Sequence, residues 1–320
     1  MNIIILGGSG FIGTRLAQRL SAHRNTFKII DKIQSKFYPN HFKKGDVRHL
    51  KTLRPLISSK DNIIINLAAE HRDDVSPITL YQDVNVNGAI NLCKIAREKS
   101  IKKIIFTSSV AVYGLSNIDL DESGLINPFN EYGRTKWEAE KIYRRWHAED
   151  PKKRMLLILR PTVVFGEGNR GNVYNLLRQV VSGRFIMIGN GQNRKSLAYV
   201  ENVAAFLEFA TTFKSGLFVY NYSDRPDFSM NQLILFINKI LGKNSKINFM
   251  LPYFIGIMIG KFFDLLSFIL QRNFSISSIR VKKFCANSVY KSTAFNSGFK
   301  APVNLGYAIK KTIKHEFLNH

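Results

Sequence analysis

The chain has 320 residues, of which 45% are hydrophobic and 22% charged, a balance that excludes disordered and collagen-like proteins. Its two cysteines lie far apart and its seven histidines lack metal-ligand spacing, so neither a disulfide framework nor a metal site is expected. The net charge of +24 predicts an anionic partner: nucleic acid, an anionic membrane surface or a phosphorylated substrate.

The predicted elements alternate between short apolar strands and amphipathic helices, a pattern typical of βαβ units around a parallel sheet. Strands are predicted over residues 2–6, 27–31, 62–67, 103–107, 155–159 and 217–222. Helices are predicted over residues 10–23, 79–99, 131–150 and about 229–241, the last opened by a capping box at Ser229. Residues 166–172 indicate a loop, and Asp224-Arg225-Pro226 a breaker. No basic segment precedes the first strand, so we expect no signal peptide.

The order of these elements predicts an α/β fold: a doubly wound parallel sheet of the Rossmann type with a smaller C-terminal substrate region. We assign residues 1–165 to a nucleotide-binding domain, to which the chain returns near residues 200–225. The substrate region then comprises residues 166–199 and 226–320.

A glycine-rich turn directly follows the first predicted strand. Gly7, Gly10 and Gly13 are spaced three apart, with Phe11 and Ile12 between the last two. Glycines there allow a tight turn and a close approach to a pyrophosphate, which the following helix N terminus faces. The pattern predicts a dinucleotide site at these residues; the alternative is a simple glycine turn.

Asp31 indicates which dinucleotide binds. It ends the second predicted strand, 18 residues after Gly13, where a carboxylate can bond the adenosine ribose hydroxyls. The same carboxylate would repel a 2′-phosphate, which favours NAD over NADP, although the neighbouring Lys32 weakens this preference. Asp46 and Val47 fall where the adenine edge is expected.

The candidate catalytic residues are Ser109, just after a predicted strand, and Tyr132 and Lys136 on a predicted helix. The last two are four residues apart and therefore share one helix face. A nearby ammonium group favours the phenolate and lowers a pKa that starts near 10. We predict Tyr132 as the general base, with Ser109 bonded to the same substrate oxygen. A surface helix that happens to carry a Tyr and a Lys is the alternative.

Further short motifs extend over nearly the whole chain: Asn66-Leu67-Ala68-Ala69, Thr107-Ser108-Ser109, Tyr113-Gly114 and Arg160-Pro161. With the residues above, they resemble the extended short-chain dehydrogenase/reductase superfamily. The resemblance implies that further residues also contact NAD, with the Lys136 ammonium on the nicotinamide ribose: Leu67, Ala69, Tyr132, Lys136 and Pro161. For its sugar 4-epimerases it implies that the tyrosine removes the 4-hydroxyl proton while hydride passes to NAD and returns to the other face. Val110 and Ala111 replace the Asp-Glu pair of the related 4,6-dehydratases, so dehydration is not expected.

Longer strings carry a narrower resemblance: residues 69–77, 109–115, 160–175, 220–222 and 281–285. They are similar to the enterobacterial 4-epimerases of N-acetylglucosaminyl-diphospho-undecaprenol. This implies interconversion of lipid-linked GlcNAc and GalNAc diphosphates for O-antigen or other surface polysaccharide synthesis. Arg170, Asn172 and Arg72 are expected to bind the diphosphate, the two arginines through the guanidinium fork that matches phosphate oxygens. Each could equally be a solvated surface residue.

Residues 252–271 form the most apolar segment, within a last quarter (239–320) that carries thirteen Lys and Arg but two acids. Small or polar residues recur along it at spacings of four, four, three and four: Gly256, Gly260, Asp264, Ser267 and Gln271. This predicts a helix with a narrow polar stripe, which Lys261 and Asp264 make too interrupted to span a bilayer. We predict a helix lying in the plane of an anionic membrane surface, with burial in the substrate region or in a dimer interface as the alternative.

The predicted location is the cytoplasmic face of the inner membrane. We expect no nucleic-acid partner, because no binding module accompanies the basic residues; a homodimer is also considered. Three alternatives stay open: a soluble UDP-N-acetylglucosamine 4-epimerase, a keto-sugar reductase and a non-catalytic nucleotide-sensing or scaffold protein. The residues do not indicate which direction of epimerisation dominates.

Overall fold

A computed structural model describes residues 2–72, 75–116, 118–243, 249–270, 272, 274 and 277–318. The strands are β1 (Asn2–Leu6), β2 (Thr26–Asp31), β3 (Phe42–Lys44), β4 (Ile63–Asn66), β5 (Lys103–Thr107), β6 (Met155–Pro161), β7 (Val163–Phe165), β8 (Met187–Ile188), β9 (Arg194–Tyr199), β10 (Gly216–Tyr222), β11 (Asp224–Ser229) and β12 (Met250–Leu251). The α-helices are α1 (Phe11–Ala22), α2 (Leu50–Leu53), α3 (Thr79–Tyr81), α4 (Gly88–Glu98), α5 (Glu131–Ala148), α6 (Asn172–Val181), α7 (Val200–Ala210), α8 (Met230–Ile240), α9 (Tyr253–Leu270), α10 (Ser278–Cys285) and α11 (Leu305–Ile313). Shorter 3₁₀ or π turns are Pro39–His41, Arg54–Leu56, Gln82–Asn87, Val110–Tyr113, Ala294–Ser297 and Lys314–Leu318.

The large sheet has the strand order β10-β6-β5-β4-β1-β2-β3, and every described pairing in it is parallel. The order reverses between β1 and β4, and ligands of such sheets bind at the carboxyl ends of the strands near this point. The central strands are buried on both faces, which explains their unbroken apolar runs. The predicted doubly wound α/β class is confirmed.

Most predicted elements are present with bounds shifted by a few residues, and the capping box at Ser229 and Gln232 is confirmed. The helix predicted over residues 79–99 is divided into α3, a π turn and α4. The breaker predicted at Asp224-Arg225-Pro226 is wrong, because these residues begin β11, which pairs antiparallel with β9. The register of this pair shifts between Asp224 and Phe228, so Pro226 lies at an irregularity where a missing N–H is tolerated.

After β7, β8 and β9, which belong to the smaller sheets, the chain returns to the large sheet with β10. β10 pairs with β6 at the sheet edge, and α7 packs against α1, where Arg19 and Glu208 form an ion pair of 2.9 Å. The smaller sheets, β11-β9-β7 and β12-β8, lie outside the large sheet. The division into nucleotide-binding and substrate regions stays a prediction.

Helix α9 turns its small residues inward and its large apolar residues outward. A Cβ on Gly256 would meet Ile188 Cγ2 at 2.6 Å, so this side of α9 lies against β8. Phe254 is 63% exposed and Phe268 83%, so the proposed burial of this helix within the substrate region is wrong for its apolar face. Gln271 lies outside the described residues. In the described ranges, α9 is the one helix whose length and composition alone would suffice to cross a membrane.

Candidate active site

The glycine-rich turn between β1 and α1 forms a tight backbone cradle. Gly7 has a φ of +72°, and a Cβ on it would meet the backbone nitrogen of Ala68 at 2.6 Å. A Cβ on Gly13 would meet Gly8 Cα at 2.5 Å, so only hydrogen fits at both positions. Gly10 caps α1 without a side chain, which leaves the positive N-terminal end of the helix open to an anion.

Asp31 lies at the carboxyl end of β2 and faces this turn. Its Oδ2 accepts a hydrogen bond from the Ser9 backbone N–H at 3.0 Å, and its Oδ1 accepts one from Ile33 N–H at 3.2 Å. These two bonds hold the carboxylate at the rim of the cradle. The Ser9 hydroxyl is buried and has no hydrogen-bond partner within the described part of the chain.

At the predicted adenine edge, the Asp46 side chain is already bonded to a neighbouring side chain. The Asp46 carboxylate binds the Arg48 guanidinium, with Oδ2 at 2.6 Å from Nη2. Burial alone would raise the pKa of Asp46, but the hydrogen bonds from Arg48 lower it overall. Val47 is buried and would contact a Cβ on Gly88. The predicted contact of Asp46 with adenine therefore stays a prediction, since Arg48 occupies its carboxylate.

The remaining predicted cofactor residues lie at the carboxyl ends of strands of the large sheet or at the start of α1. Leu67 follows β4 and donates its N–H to the Leu6 carbonyl at 2.9 Å, Ala69 lies two residues further, and Pro161 ends β6. Phe11 and Ile12 form the first residues of α1. The sheet topology thus brings all of these residues to one edge.

Ser109 and Tyr132 come from two elements that pack closely. Ser109 caps a 3₁₀ turn by accepting a hydrogen bond from Ala111 N–H at 3.1 Å, and its side chain lies close enough to Tyr132 to lower the pKa of that phenol. At the start of α5, a Cβ on Gly133 would meet the Ala111 carbonyl oxygen at 2.4 Å. This close approach brings the phenol to the serine.

Lys136 lies one helical turn further along α5 and is 2% exposed. Its Nζ donates to the Thr107 carbonyl at 2.7 Å and lies 4.7 Å from the centre of the Phe106 ring. Burial lowers the pKa of Lys136 to about 7, an effect that Glu140 partly opposes. The Lys136 side chain thus ends at the carboxyl end of β5.

The pKa of Tyr132 departs from the expectation. Burial raises it above the ordinary value of a phenol and Tyr81 raises it further, while the hydrogen bond with Ser109 acts in the opposite direction. The expected lowering by Lys136 is wrong for this structure, because the ammonium is bonded to a backbone carbonyl instead. Sequence spacing predicted the shared helix face but not where the ammonium points.

A buried ion pair that the sequence analysis missed lies beneath these residues. The Glu140 carboxylate accepts hydrogen bonds from Ser108 Oγ at 2.6 Å and from Arg160 Nη2 at 2.6 Å. Arg160 Nη1 also donates to Tyr113 Oη at 2.7 Å, and Tyr113 donates to Asn221 Oδ1 at 2.8 Å. The network joins the ends of β5, β6 and β10 to α5 and so fixes the serine turn relative to the catalytic helix. One signal for this network was present in the sequence: Glu140 lies four residues after Lys136 and therefore shares its face of α5.

Comparison with known proteins identifies the family. Residues 3–221 match the NAD dependent epimerase/dehydratase family. The chain belongs to this family. It is 47% identical, over 99% of its length and 96% of the relative, to the N-acetyl-α-D-glucosaminyl-diphospho-ditrans,octacis-undecaprenol 4-epimerase of Escherichia coli O157:H7. It is 30% identical, over 75% of its length and 82% of the relative, to a putative UDP-glucose 4-epimerase of Methanocaldococcus jannaschii.

Solved structures of epimerases share the fold. The UDP-glucose 4-epimerase of Thermotoga maritima superposes with a TM-score of 0.76 at 19% identity, covering 98% of each chain. The UDP-N-acetylglucosamine 4-epimerase of Methanobrevibacter ruminantium superposes with a TM-score of 0.75 at 21% identity, covering 100% of this chain and 99% of that one. The predicted superfamily and the Rossmann-type architecture are confirmed.

The residues of the cradle fit NAD, the cofactor of this epimerase/dehydratase family. Gly7 and Gly13 leave a backbone surface that any side chain would fill, at the N terminus of α1. The buried Ser9 hydroxyl without a partner and the Asp31 carboxylate beside it supply polar groups for a bound dinucleotide. No cluster of three or more His, Cys, Asp or Glu side chains is placed to hold a metal ion in the part of the chain that the structure describes.

The three predicted diphosphate residues have different surroundings. Arg170 Nη1 lies 2.6 Å from Glu316 Oε2, and its guanidinium lies 4.3 Å from the centre of the Tyr174 ring. Asn172 begins α6 and is exposed. Arg72 is exposed, and its carbonyl accepts a hydrogen bond from Tyr81, which lies near Tyr132. The diphosphate contacts stay predictions, and Arg170 would have to share its charge with Glu316.

Proposed function

We propose that this protein is an NAD-dependent 4-epimerase that interconverts N-acetyl-α-D-glucosaminyl-diphospho-undecaprenol and its N-acetyl-α-D-galactosaminyl epimer. The observation that carries the proposal is the 47% identity over 99% of the chain to the Escherichia coli enzyme of that name. The tyrosine, serine and lysine arrangement supplies the chemistry that such a reaction requires. The product would provide a lipid-linked GalNAc for O-antigen or related surface polysaccharide synthesis.

The side chains of the site divide the work of epimerisation. Bound NAD supplies the acceptor, and later the donor, of the hydride at C4 of the sugar. Tyr132 takes up the proton of the 4-hydroxyl and returns it after the ring has turned over. Ser109, which lies beside that phenol, holds the same sugar oxygen. Lys136, whose Nζ donates to the Thr107 carbonyl at the end of β5, would also bind the cofactor ribose.

The residues after Ser109 favour simple reversal over elimination. Val110 is buried and Ala111 contributes its backbone to the start of α5, so no acidic side chain follows the serine. Loss of water from a keto sugar needs an acid and a base at its C5 and C6 positions. We infer that the 4-keto sugar is held until it is reduced again.

Peripheral attachment to the cytoplasmic face of the inner membrane completes the proposal. The substrate carries a polyprenyl chain, whose removal from a bilayer would cost roughly 0.8 kcal/mol for each exposed CH₂. The outward apolar residues of α9 and the basic residues of the last quarter of the chain support an interfacial helix at an anionic surface. A homodimer stays a prediction, tested by light scattering of the purified protein.

A soluble 4-epimerase of a UDP-linked sugar is the second candidate. The relative from Methanocaldococcus jannaschii is named as a putative UDP-glucose 4-epimerase and matches 75% of this chain. The exposed face of α9 favours the lipid-linked substrate over this one.

The deciding experiment offers both substrates to the purified protein in detergent. Radiolabelled GlcNAc-diphospho-undecaprenol should yield the GalNAc epimer, and UDP-GlcNAc should react far more slowly. No nicotinamide cofactor should be consumed, since the hydride that leaves C4 returns to it. Turnover of UDP-GlcNAc alone would refute the lipid-linked substrate, and NADPH consumption in proportion to product would indicate a reductase.

A further inference from the structure

A cleft of about 900 Å³ opens beside the first turn of α9. Its lining includes Leu115, Met250, Tyr253, and Lys282 of α10. The volume lies toward the upper end of the range for clefts that hold small molecules. This cleft is not needed for the nicotinamide cofactor, whose cradle lies at β1 and α1.

One wall of the cleft continues directly from the catalytic serine. Ser109 caps the 3₁₀ turn Val110–Tyr113, and Leu115 follows that turn after a single glycine. Next to Lys282 in the chain, Lys283 Nζ lies 4.9 Å from the centre of the Phe129 ring, two residues before the start of α5. The cleft therefore begins a few residues after Ser109, and the residue next to its Lys282 contacts the segment that leads into α5.

Another part of the cleft lining continues into the exposed apolar face of α9. Tyr253 both lines the cleft and begins α9, and Phe254 beside it is exposed. Leu115 and Met250 remain 48% and 49% exposed, which is unusual for large apolar side chains grouped around one cleft. A continuous apolar path thus leads from the cleft to the face of α9 that we assign to the membrane.

The charge and the rigidity of the wall suit a diphosphate bonded to an apolar chain. Lys282 contributes a cation, and the cleft lining contains no acidic side chain among the described residues. The C-terminal end of α10 is held in place by Lys195, whose Nζ donates to the carbonyls of Lys283 at 2.9 Å and Ala286 at 2.6 Å. The lining thus offers a cation for an anionic head and apolar side chains for an isoprenoid chain.

We propose that this cleft binds the isoprenoid units next to the diphosphate of the lipid-linked substrate, on their way from the membrane surface to Ser109 and Tyr132. The inference rests on the proposed function and names the path that its substrate takes. The remaining isoprenoid units stay in the bilayer beneath α9. The enzyme would thereby distinguish a lipid diphosphate from a nucleoside diphosphate by apolar contacts rather than by base recognition.

The test compares two detergent-soluble substrates, GlcNAc-diphosphate carrying a two-isoprene chain and GlcNAc-diphosphate carrying a methyl group. Wild-type protein should show a higher kcat/KM for the isoprenoid substrate. The ratio of the two values should fall by roughly tenfold or more in Leu115→Asn and Met250→Asn, as expected when apolar pocket contacts are lost. Tyr307→Asn, at an equally exposed apolar position of α11 outside the cleft, should keep the wild-type ratio.

A photoactivatable two-isoprene analogue of the same substrate gives a second readout that does not depend on turnover. Mass spectrometry should locate the label in peptides containing residues 249–253 or 282–286. An unchanged kcat/KM ratio in both cleft variants, or a label confined to other peptides, would overturn the proposal. So would a change of oligomeric state in the variants, which would make the cleft an interface between copies. Epimerisation of GlcNAc-diphospho-undecaprenol by wild-type protein is measured in parallel, so that failure of the proposed function is recognised separately.

Discussion

Gly260 of α9 lies against Ser278 of α10 so closely that a Cβ on the glycine would meet the serine Cα at 2.6 Å. Asp264, one turn further on, accepts a hydrogen bond from the Ser278 N–H at 3.2 Å. These contacts place α10 along the small-residue side of α9, and the opposite side of α9 stays exposed. The orientation of the apolar helix thus depends on a glycine.

We predict that Gly260→Val loosens the pair of helices. The added side chain would have to displace the α10 backbone, which costs about 1–3 kcal/mol of stability in well-packed sites. Thermal unfolding and limited proteolysis between α9 and α10 would show the change. Lys261→Val, at the exposed neighbouring position, is the control and should have little effect. Equal stability of both variants would mean that the two helices are not packed as described.

Replacement of Phe254, Phe262 and Phe268 by Ser should release the protein from membranes. All three side chains are exposed on α9, so their loss removes apolar contact with the bilayer without opening a core cavity. Wild-type protein should sediment with membranes, be partly released by high salt, which screens the basic residues, and be fully released by detergent. The variant should be found in the supernatant with NAD binding intact.

The matched control for this triple variant replaces three exposed apolar residues outside α9: Ile90, Leu217 and Tyr307. This control should still sediment with membranes. Loss of NAD binding or unfolding in the α9 variant would show instead that the helix is needed for the fold.

Tyr132→Phe should lower kcat by about 10²–10⁴-fold, the usual contribution of a general acid–base group. The phenyl ring preserves the packing at the start of α5, so NAD binding and thermal stability should remain. Tyr307→Phe, which removes an exposed hydroxyl from α11, is the control and should turn over as wild type. Near-wild-type kcat in Tyr132→Phe would exclude this residue as the base.

Lys136 should make the stability of the NAD-free protein depend on pH. Its folded pKa is about 7, against about 10.4 in an unfolded chain, so between these values the unfolded chain binds a proton that the folded chain lacks. Unfolding free energy should therefore rise with pH over this window, with a slope approaching about 1.4 kcal/mol per pH unit. Urea unfolding between about pH 7 and 10 should show this slope in wild type and in Lys141→Met, an exposed lysine of the same helix. Buried Lys195, whose pKa is lowered to about 8, adds its own slope above that pH in all three proteins. A slope in Lys136→Met equal to that of wild type between about pH 7 and 8 would contradict the assignment.

Glu140→Gln should destabilise the fold strongly. The substitution leaves the buried Arg160 without its charge partner, and such changes cost about 3–5 kcal/mol. Glu138→Gln is the control on the same helix, since Glu138 pairs with Arg134 near the surface and its loss should cost about 1 kcal/mol or less. Denaturant unfolding of the two variants measures the difference directly; equal midpoints would show that the buried pair has no special role.

The amino-acid sequence by itself determined the features that depend on neighbours along the chain. Apolar runs of five or six residues specified the strands of the sheet, and glycines at positions 7, 10 and 13 specified the cradle, because backbone geometry and burial act locally. The four-residue spacing of Tyr132 and Lys136 specified their common helix face for the same reason.

Only the tertiary structure decided the features that depend on residues far apart in the chain. Arg160 meets Glu140 and Arg170 meets Glu316 through packing between elements, and no periodicity predicts such pairs. The pKa of Tyr132 was misjudged because desolvation and the direction of the Lys136 ammonium are set by the surrounding fold. The apolar composition of α9 allowed either burial or exposure, and the contacts of its glycines with β8 and α10 chose exposure, since a helix can bury only the face against which other elements pack.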